Sequence, residues 1–258
     1  MAQMLPAAPG SAIFVNVKRI FALYGDLIQN APQYAEVKKA IEQGLPDPAK
    51  DIDEVGVSLD ILKASSARSG GGVVTGRLDK TKLLALAAAH NITITPSMYR
   101  GIALLTAKQT DSEESVQLGL VDDETTIIST DRGGDHEATK SILATIKGET
   151  ESFAQSSGAA LPADYLAQAS VQIPQEVINE FGSNVPPQFE VVTHIKLVTL
   201  SINAQDNGDG SARLAATCDT EANAQALGAL REQLKTAFAS SGSRGTDVLN
   251  RLTVKVEG

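Results

Sequence analysis

The chain has 258 residues, a net charge of −9, 42% hydrophobic residues and no tryptophan. So acidic a surface repels phosphate backbones, and nucleic-acid binding is therefore not expected. No apolar run approaches the ~20 residues that cross a bilayer, and a single cysteine, Cys218, excludes an intrachain disulfide.

The first part of the chain predicts alternating strands and helices. In chain order the predicted elements are a strand at 12–17, a helix carrying Ile20 to Ile28 and resuming after Pro32 to Leu45, a strand from Val55 to Ile61, a Ser/Gly-rich turn at 65–71, a strand from Gly72 to Leu78, a helix at 80–89 capped by Asp79, and a strand with Ile92 and Ile94.

The last part of the chain repeats this order. Its predicted elements are a strand at 165–171, a short helix from Pro174 to Gly182, a strand at 192–202, a turn at 206–210, a strand at 211–217, a helix capped by Asp219 or Thr220 and reaching Phe238, and a strand at 252–256.

Residues 12–95 and 165–256 thus share the order strand, helix, hairpin, helix, strand. This βαββαβ order is that of the split βαβ, ferredoxin-like pattern, and it predicts an internal duplication. Because the order is common among α/β proteins, an unduplicated chain is the alternative.

Residues 101–148 have no counterpart in the second half. They predict three strands, the last two joined at Asp122-Asp123-Glu124, and a helix that begins at Asp135 or His136 and ends by Gly148. We expect an α+β fold of two tandem modules, each with a mostly antiparallel sheet covered by helices on one face. The predicted modules are 10–148 and 164–258, and the Ser-rich segment 149–163 is the predicted linker.

One motif comes close to a zinc site. His136-Glu137-Ala138-Thr139-Lys140 matches the first half of HExxH, but Lys140 replaces the second histidine. Two imidazoles one helical turn apart are needed to hold the metal, so we interpret the segment as an acidic helix start.

Two glycine-containing segments also come close to known sites. Gly71 and Gly76 have the spacing of a phosphate loop, but Arg77-Leu78 follow, so Gly76 is interpreted as a bulge or a point of close packing. The second segment is Asp206-Asn207-Gly208-Asp209-Gly210, which resembles the start of a calcium loop. Two of its first three ligand positions have no side-chain oxygen, so it predicts a hairpin turn. The acidic turn at 122–124 is a second place where a cation could bind weakly, and the sequence leaves this alternative open.

The three histidines, His90, His136 and His194, are far apart in the sequence. His90 follows a predicted helix, where an imidazole suits the helix dipole. His194 is predicted to share a strand face with Lys196 and Val198, and the neighbourhood of His194, Lys196 and Cys218 would be the centre of any catalytic site.

Cys218 itself comes just before a predicted helix. A lone cysteine in that position is more typical of a small buried residue than of a reactive thiol. The sequence indicates no cofactor and assigns no catalytic, cofactor-binding or metal residue.

Several segments together resemble uncharacterised exported bacterial α/β proteins, secreted or lipid-anchored. The residues that carry this resemblance are Leu5-Pro6 before Phe14-Val15-Asn16-Val17, Asp51 to Val55, Gly76-Arg77-Leu78-Asp79, Tyr99-Arg100-Gly101, Val121 to Ile128, and Gln172 to Val177. The resemblance implies an extracytoplasmic location and a repeated α/β fold, and it implies no activity. The Pro/Ala-rich start at 1–10 is also typical of an exported domain after signal removal, with a cytosolic start as the alternative.

These observations favour a non-enzymatic binding or interaction protein of the bacterial cell envelope. Its ligand, a protein or a small molecule, is expected on an exposed sheet face or in the cleft between the modules. The alternatives are a hydrolase or transferase with a site between the modules, and a cytosolic scaffold.

Overall fold

A computed structural model describes residues 1–7, 10–59, 70–109, 112, 114–131, 136–157, 161–182, 185–206, 209–240 and 252–254. The strands are β1 Ser11–Asn16, β2 Ile52–Leu59, β3 Gly70–Gly76, β4 Ile92–Tyr99, β5 Ile102–Gln109, β6 Ser115–Leu120, β7 Thr125–Asp131, β8 Tyr165–Gln172, β9 Ile195–Ala204, β10 Gly210–Cys218 and β11 Leu252–Val254. The helices are α1 Val17–Gln29, α2 Tyr34–Glu42, α3 Pro48–Asp51, α4 Lys80–Ala89, α5 Glu137–Ile146, α6 Phe153–Ser157, α7 Gln175–Gly182 and α8 Glu221–Ser240, with a 3-10 helix at Pro187–His194.

All the described strands belong to one sheet, in the order β11-β10-β9-β8-β1-β2-β3-β7-β6-β5-β4. Every pairing in it is antiparallel except β10 with β11. The expected α+β class and mostly antiparallel pairing are therefore confirmed. The strands β5, β6 and β7 lie between β3 and β4 in the sheet, so this segment extends the part of the sheet formed by β1 to β3.

The ferredoxin-like interpretation is wrong. A βαβ unit joins parallel strands through a crossover helix, whereas β1 and β2, which flank α1 to α3, are antiparallel neighbours. The element order was correct, but element order does not determine which strands pair. The two halves meet where β1 pairs with β8, so the sheet continues across the predicted boundary between modules.

Local signals account for where several helices begin. The side chain of Asn16 accepts a hydrogen bond from Arg19 N at 2.9 Å and so caps α1. Asp79 caps α4 as predicted, through the backbone N–H groups of Thr81 and Lys82. Thr220 accepts from Asn223 N at the start of α8, which resolves the choice between Asp219 and Thr220.

One sheet face carries the main core. Phe14, Gly56, Val73, Ile127, Gly119 and Leu104 are successive cross-strand partners on this face, which we call the core face. Gly56 leaves room for Met1, since a Cβ there would lie 2.7 Å from Met1 Cγ. Side chains from the N-terminal segment, α5 and α6 join the same core: Leu5, Ile142, Leu143 and Phe153.

The predicted linker 149–163 contains a short helix: Phe153–Ser157 form α6, and Phe153 is 1% exposed against Phe14. One local prediction needs correction. Residues 192–194 were predicted to begin a strand, but they end the 3-10 helix, which starts at Pro187, a favourable residue for a first turn. Ile61 and most of the turn at 65–71 lie outside the described residues.

One edge of the sheet carries a proline. β4 pairs with β5 along its whole length, and Pro96 lies opposite Leu105 within that ladder. Proline contributes no N–H, which is tolerated on an edge strand.

Candidate functional site

An apolar strip occupies the face of β8–β10 opposite the core face. Val198, Leu200 and Ile202 of β9 are on one side of the strand, and cross-strand partners lie on the same face. These partners are Ala167, Ala169 and Val171 on β8 and Ala212, Leu214 and Ala216 on β10. We call these nine residues the apolar strip. Leu200 and Ile202 are each 43% exposed within the described part of the chain.

The buried side of β8 and β9 carries polar residues in the middle of both strands, between the buried Leu166 of β8 and the buried Leu197 of β9. Gln168 is 2% exposed, Ser170 0% and Ser201 8%. Ser170 Oγ lies 3.1 Å from Thr199 Oγ1, and Ser201 donates to Gln168 Oε1 at 3.3 Å. The usual pattern of a two-sided sheet, apolar inside and polar outside, is thus reversed in the middle of β8 and β9. Buried hydroxyls and amides are tolerated because they bond to one another.

A cleft of about 710 Å³ lies between the two halves. Its floor is a cross-strand row of Gln172, Leu197 and Thr217 on the core face. Its walls come from the N-terminal segment, α6 and the start of α7: Ala7, Gly10, Ser156, Ser157, Ile173, Pro174 and Gln175. Lys196 also lines it and is the only charged residue among the described lining residues. A cleft between the predicted modules is one of the two ligand locations that the sequence analysis expects, the other being an exposed sheet face.

The residues of the predicted catalytic neighbourhood are only partly brought together. His194 lines a cavity of about 510 Å³ between the 3-10 helix and α8, whereas Lys196 lines the cleft. The prediction that His194 and Lys196 share a strand face is therefore wrong, because His194 precedes β9. Cys218 pairs with Ile195 in the sheet and is 3% exposed. Its burial raises the pKa of the thiol, so Cys218 is the small buried residue that the sequence favoured.

His194 has an acidic partner that the sequence did not identify. Its Nδ1 lies 2.9 Å from Asp219 Oδ2, and Asn223 donates to Asp219 Oδ1 at 2.7 Å. The hydrogen bond from Asn223, and next that from His194, lower the pKa of the Asp219 carboxyl. None of the described residues lining this cavity is a serine, threonine or cysteine, so the pair has no nucleophile beside it there.

His136 is packed in the core rather than offered to a metal. It is 5% exposed, and its two ring nitrogens lie 3.4 Å from Ser129 Oγ and 3.3 Å from Ser115 Oγ. Lys140, at the position of the missing histidine, pairs instead with Glu137. No group of three or more His, Cys, Asp or Glu side chains among the described residues is arranged to hold a metal.

The two glycines that have the spacing of a phosphate loop, Gly71 and Gly76, serve packing. A Cβ on Gly71 would lie 2.9 Å from Ala138 Cβ of α5, so the glycine lets α5 approach the sheet. Gly76 has a φ of +141° and lies opposite a bulge in β2, as the sequence predicted.

The two acidic turns join antiparallel strands. Asp122 Oδ1 accepts from Glu124 N in the turn between β6 and β7. Residues 207 and 208 lie outside the described residues, and the strands on either side of them pair as the predicted hairpin.

Comparisons with known proteins find no matching family model and no matching curated protein. Among solved structures, crystal forms III and IV of TP0453 align with a TM-score of 0.44 and 10% sequence identity. The alignments cover 79% of this chain and 74% and 75% of the TP0453 chain. A similarity at this level supports no inference about function. No described helix is both long and apolar enough to span a membrane.

Proposed function

We propose that this protein is a non-enzymatic interaction protein of the bacterial cell envelope and that it binds a partner protein through the apolar strip. The observation that carries the proposal is the reversed polarity in the middle of β8 and β9. Leu200 and Ile202 are 43% exposed, while Ser170 and Gln168 are buried on the other face. A sheet that had only to fold would place these residues the other way round.

The strip can contribute binding energy with little rearrangement. Burying a whole leucine or isoleucine side chain stabilises by about 1.5–3 kcal/mol, so covering the exposed part of Leu200 and Ile202 would contribute roughly 1 kcal/mol each. The strip side chains project from hydrogen-bonded strands. Little backbone ordering is therefore needed when a partner docks.

The proposal includes the tandem organisation, with modules 10–148 and 164–258 joined through 149–163. Its support is the arrangement of strands about the central β1–β8 pair. β1-β2-β3 run outward on one side and β8-β9-β10 on the other, each set in antiparallel order. The fourth strands differ, because β11 pairs with β10 whereas β4 pairs with β5. Superposition of 12–95 on 165–256 in an experimental structure tests the duplication.

Photo-crosslinking in the producing bacterium tests the interaction. A photoreactive amino acid at Ile202 lies on the strip, and one at Arg213 lies exposed on the next strand but on the opposite face. We expect a crosslinked product of discrete mass from position 202 that is absent from position 213. Equal products at both positions, or none at position 202, would contradict the proposal.

Cell fractionation tests the extracytoplasmic location, which rests on the sequence resemblance. We expect the protein in the periplasmic, secreted or membrane-anchored fraction. Recovery in the cytosol would instead favour the scaffold alternative.

The second candidate function is a hydrolase or transferase, and the contact between His194 and Asp219 favours it. A carboxylate that orients an imidazole is one part of a general-base site. Such an enzyme would have to activate water or a bound substrate directly. Turnover of chromogenic ester or phosphoester substrates that is lost in both His194→Gln and Asp219→Asn would support it.

A further inference from the structure

We infer that the cleft between the two halves is a second binding site, separate from the apolar strip, and that it takes a small organic acid with a short apolar chain. The site is the cleft floored by Gln172, Leu197 and Thr217, with Lys196 on its lining. Its volume of about 710 Å³ lies in the range of small-molecule sites.

The charge of the cleft lining favours an anion as the ligand. The chain carries a net charge of −9, yet Lys196 carries the only charge among the described residues that line the cleft. Among the described residues, no carboxylate lies in ion-pair contact with the Lys196 ammonium. The cation is thus available to a ligand. One cation neutralises a singly charged carboxylate, whereas it leaves part of the charge of a doubly charged phosphate unpaired in the cleft.

The neutral lining supplies further donors. Ser156 Oγ accepts a hydrogen bond from Gln172 Nε2 at 3.2 Å, which leaves its own hydroxyl hydrogen able to donate. Thr217, on the floor beside Leu197, brings a second hydroxyl. Such groups complete the coordination of a carboxylate oxygen held by Lys196.

The apolar part of the lining favours a ligand whose acid group carries a short hydrocarbon chain. Leu197 lies in the floor, and Ile173 and Pro174 lie in the wall beside Lys196. Ile173 N donates to the backbone oxygen of Lys196 at 2.8 Å, which fixes the apolar wall next to the backbone of Lys196. A ligand with a carboxylate at one end and a few methylenes behind it matches this lining.

Titration of the whole protein tests the inference, with sodium hexanoate as the probe and hexylammonium chloride and sodium phosphate for comparison. We expect saturable 1:1 binding of hexanoate, with a dissociation constant on the order of 1 mM for a ligand of this size. Lys196→Met should weaken hexanoate binding at least about tenfold, the loss expected for one charged contact. Lys196→Arg should retain most of it, and Thr217→Val should weaken it less.

Lys82→Met is the matched control, because Lys82 is an exposed lysine on α4. It should leave hexanoate binding unchanged, and thermal melting should show that both Met variants are folded. Four results would overturn the inference: no saturable hexanoate binding, equal binding to Lys196→Met, equally tight binding of hexylammonium, or phosphate bound as tightly as hexanoate. The last of these would show an adventitious ion only. None of these results bears on crosslinking at the apolar strip.

Discussion

Arg19 donates from Nη2 to the carbonyl oxygen of Ala204 at 2.7 Å, so a side chain of the first helix is bound to the end of β9 in the other half of the chain. The same nitrogen lies 2.9 Å from Asp206 Oδ1. Ala204 is buried and the Arg19 side chain is 24% exposed. This contact, together with the β1–β8 pair, joins the two halves.

Replacing Arg19 by methionine should therefore destabilise the protein. The buried Ala204 carbonyl would lose a charged donor, a change that costs about 1.5–3 kcal/mol. The more exposed ion pair with Asp206 adds little. Urea unfolding measures the effect, and Arg213→Met, at an exposed arginine of β10, should stay within about 0.5 kcal/mol of the parent protein. Equal losses in both variants would contradict a specific role for Arg19.

The buried polar side of β8 and β9 should behave as one network. Ser170→Ala removes a partner from both Thr199 and the Gln168 amide, and we expect it to cost about 1–3 kcal/mol. Thr199→Val removes the other end of the same hydroxyl contact. In a double-mutant cycle the pair should show a coupling of at least about 0.5 kcal/mol. Strictly additive losses would show that the hydroxyls do not interact.

Gly76 and Gly101 make a matched pair of left-handed glycines. A Cβ on Gly76 would collide with the carbonyl oxygen of Asp51, whereas a Cβ on Gly101 would meet no atom within 4 Å. Gly76→Ala should therefore cost about 3 kcal/mol or more, and Gly101→Ala about 1 kcal/mol from backbone strain alone. Denaturant midpoints distinguish the two, and a Gly101→Ala loss as large as that of Gly76→Ala would contradict the steric argument.

The Asp219 carboxyl predicts a dependence of stability on pH. Its pKa is lowered in the folded protein, first by the hydrogen bond from Asn223 and then by that from His194. A lowered folded pKa adds stability above the unfolded pKa of about 3.9, and this stability is lost as pH falls through the folded value. Asp219→Asn should thus be less stable than the parent at neutral pH, and the difference should vanish in acid.

Melting temperatures of the two proteins between neutral and strongly acidic pH measure this difference. Asn223→Ala removes the leading cause of the lowered pKa of Asp219. In a protein that carries Asn223→Ala, the added change Asp219→Asn should therefore alter the melting temperature less over the same pH range. A difference that stays constant with pH would mean that the Asp219 charge is not involved.

Sequence patterns predicted the elements well because the signals are local. Asp79, a capping residue at a helix start, and the alternation from Val198 to Ile202 each act within a few residues. Strand pairing was not accessible in the same way. β4 follows α4 in the chain, yet it lies at the far edge of the sheet because β5 to β7 are inserted between β3 and β4.

The sequence led us to expect an exposed sheet face as a candidate surface, but it did not identify the residues of that face. Alternation placed Leu200 and Ile202 on one face but could not tell whether that face is covered, since the pattern of a covered sheet face is the same. The signal that could have indicated exposure was the partner face, where β8 places Gln168 and Ser170 at the positions expected for core residues. The contact between His194 and Asp219 joins residues 25 positions apart and left no sequence pattern.

Pro96 has a consequence for how these molecules meet one another. β4 ends the sheet among the described strands, and an unsatisfied edge can act as a template onto which strands of other chains add. Without an N–H at its midpoint, β4 offers an interrupted row of donors. Copies of this protein are thereby hindered from joining along this edge into fibrils.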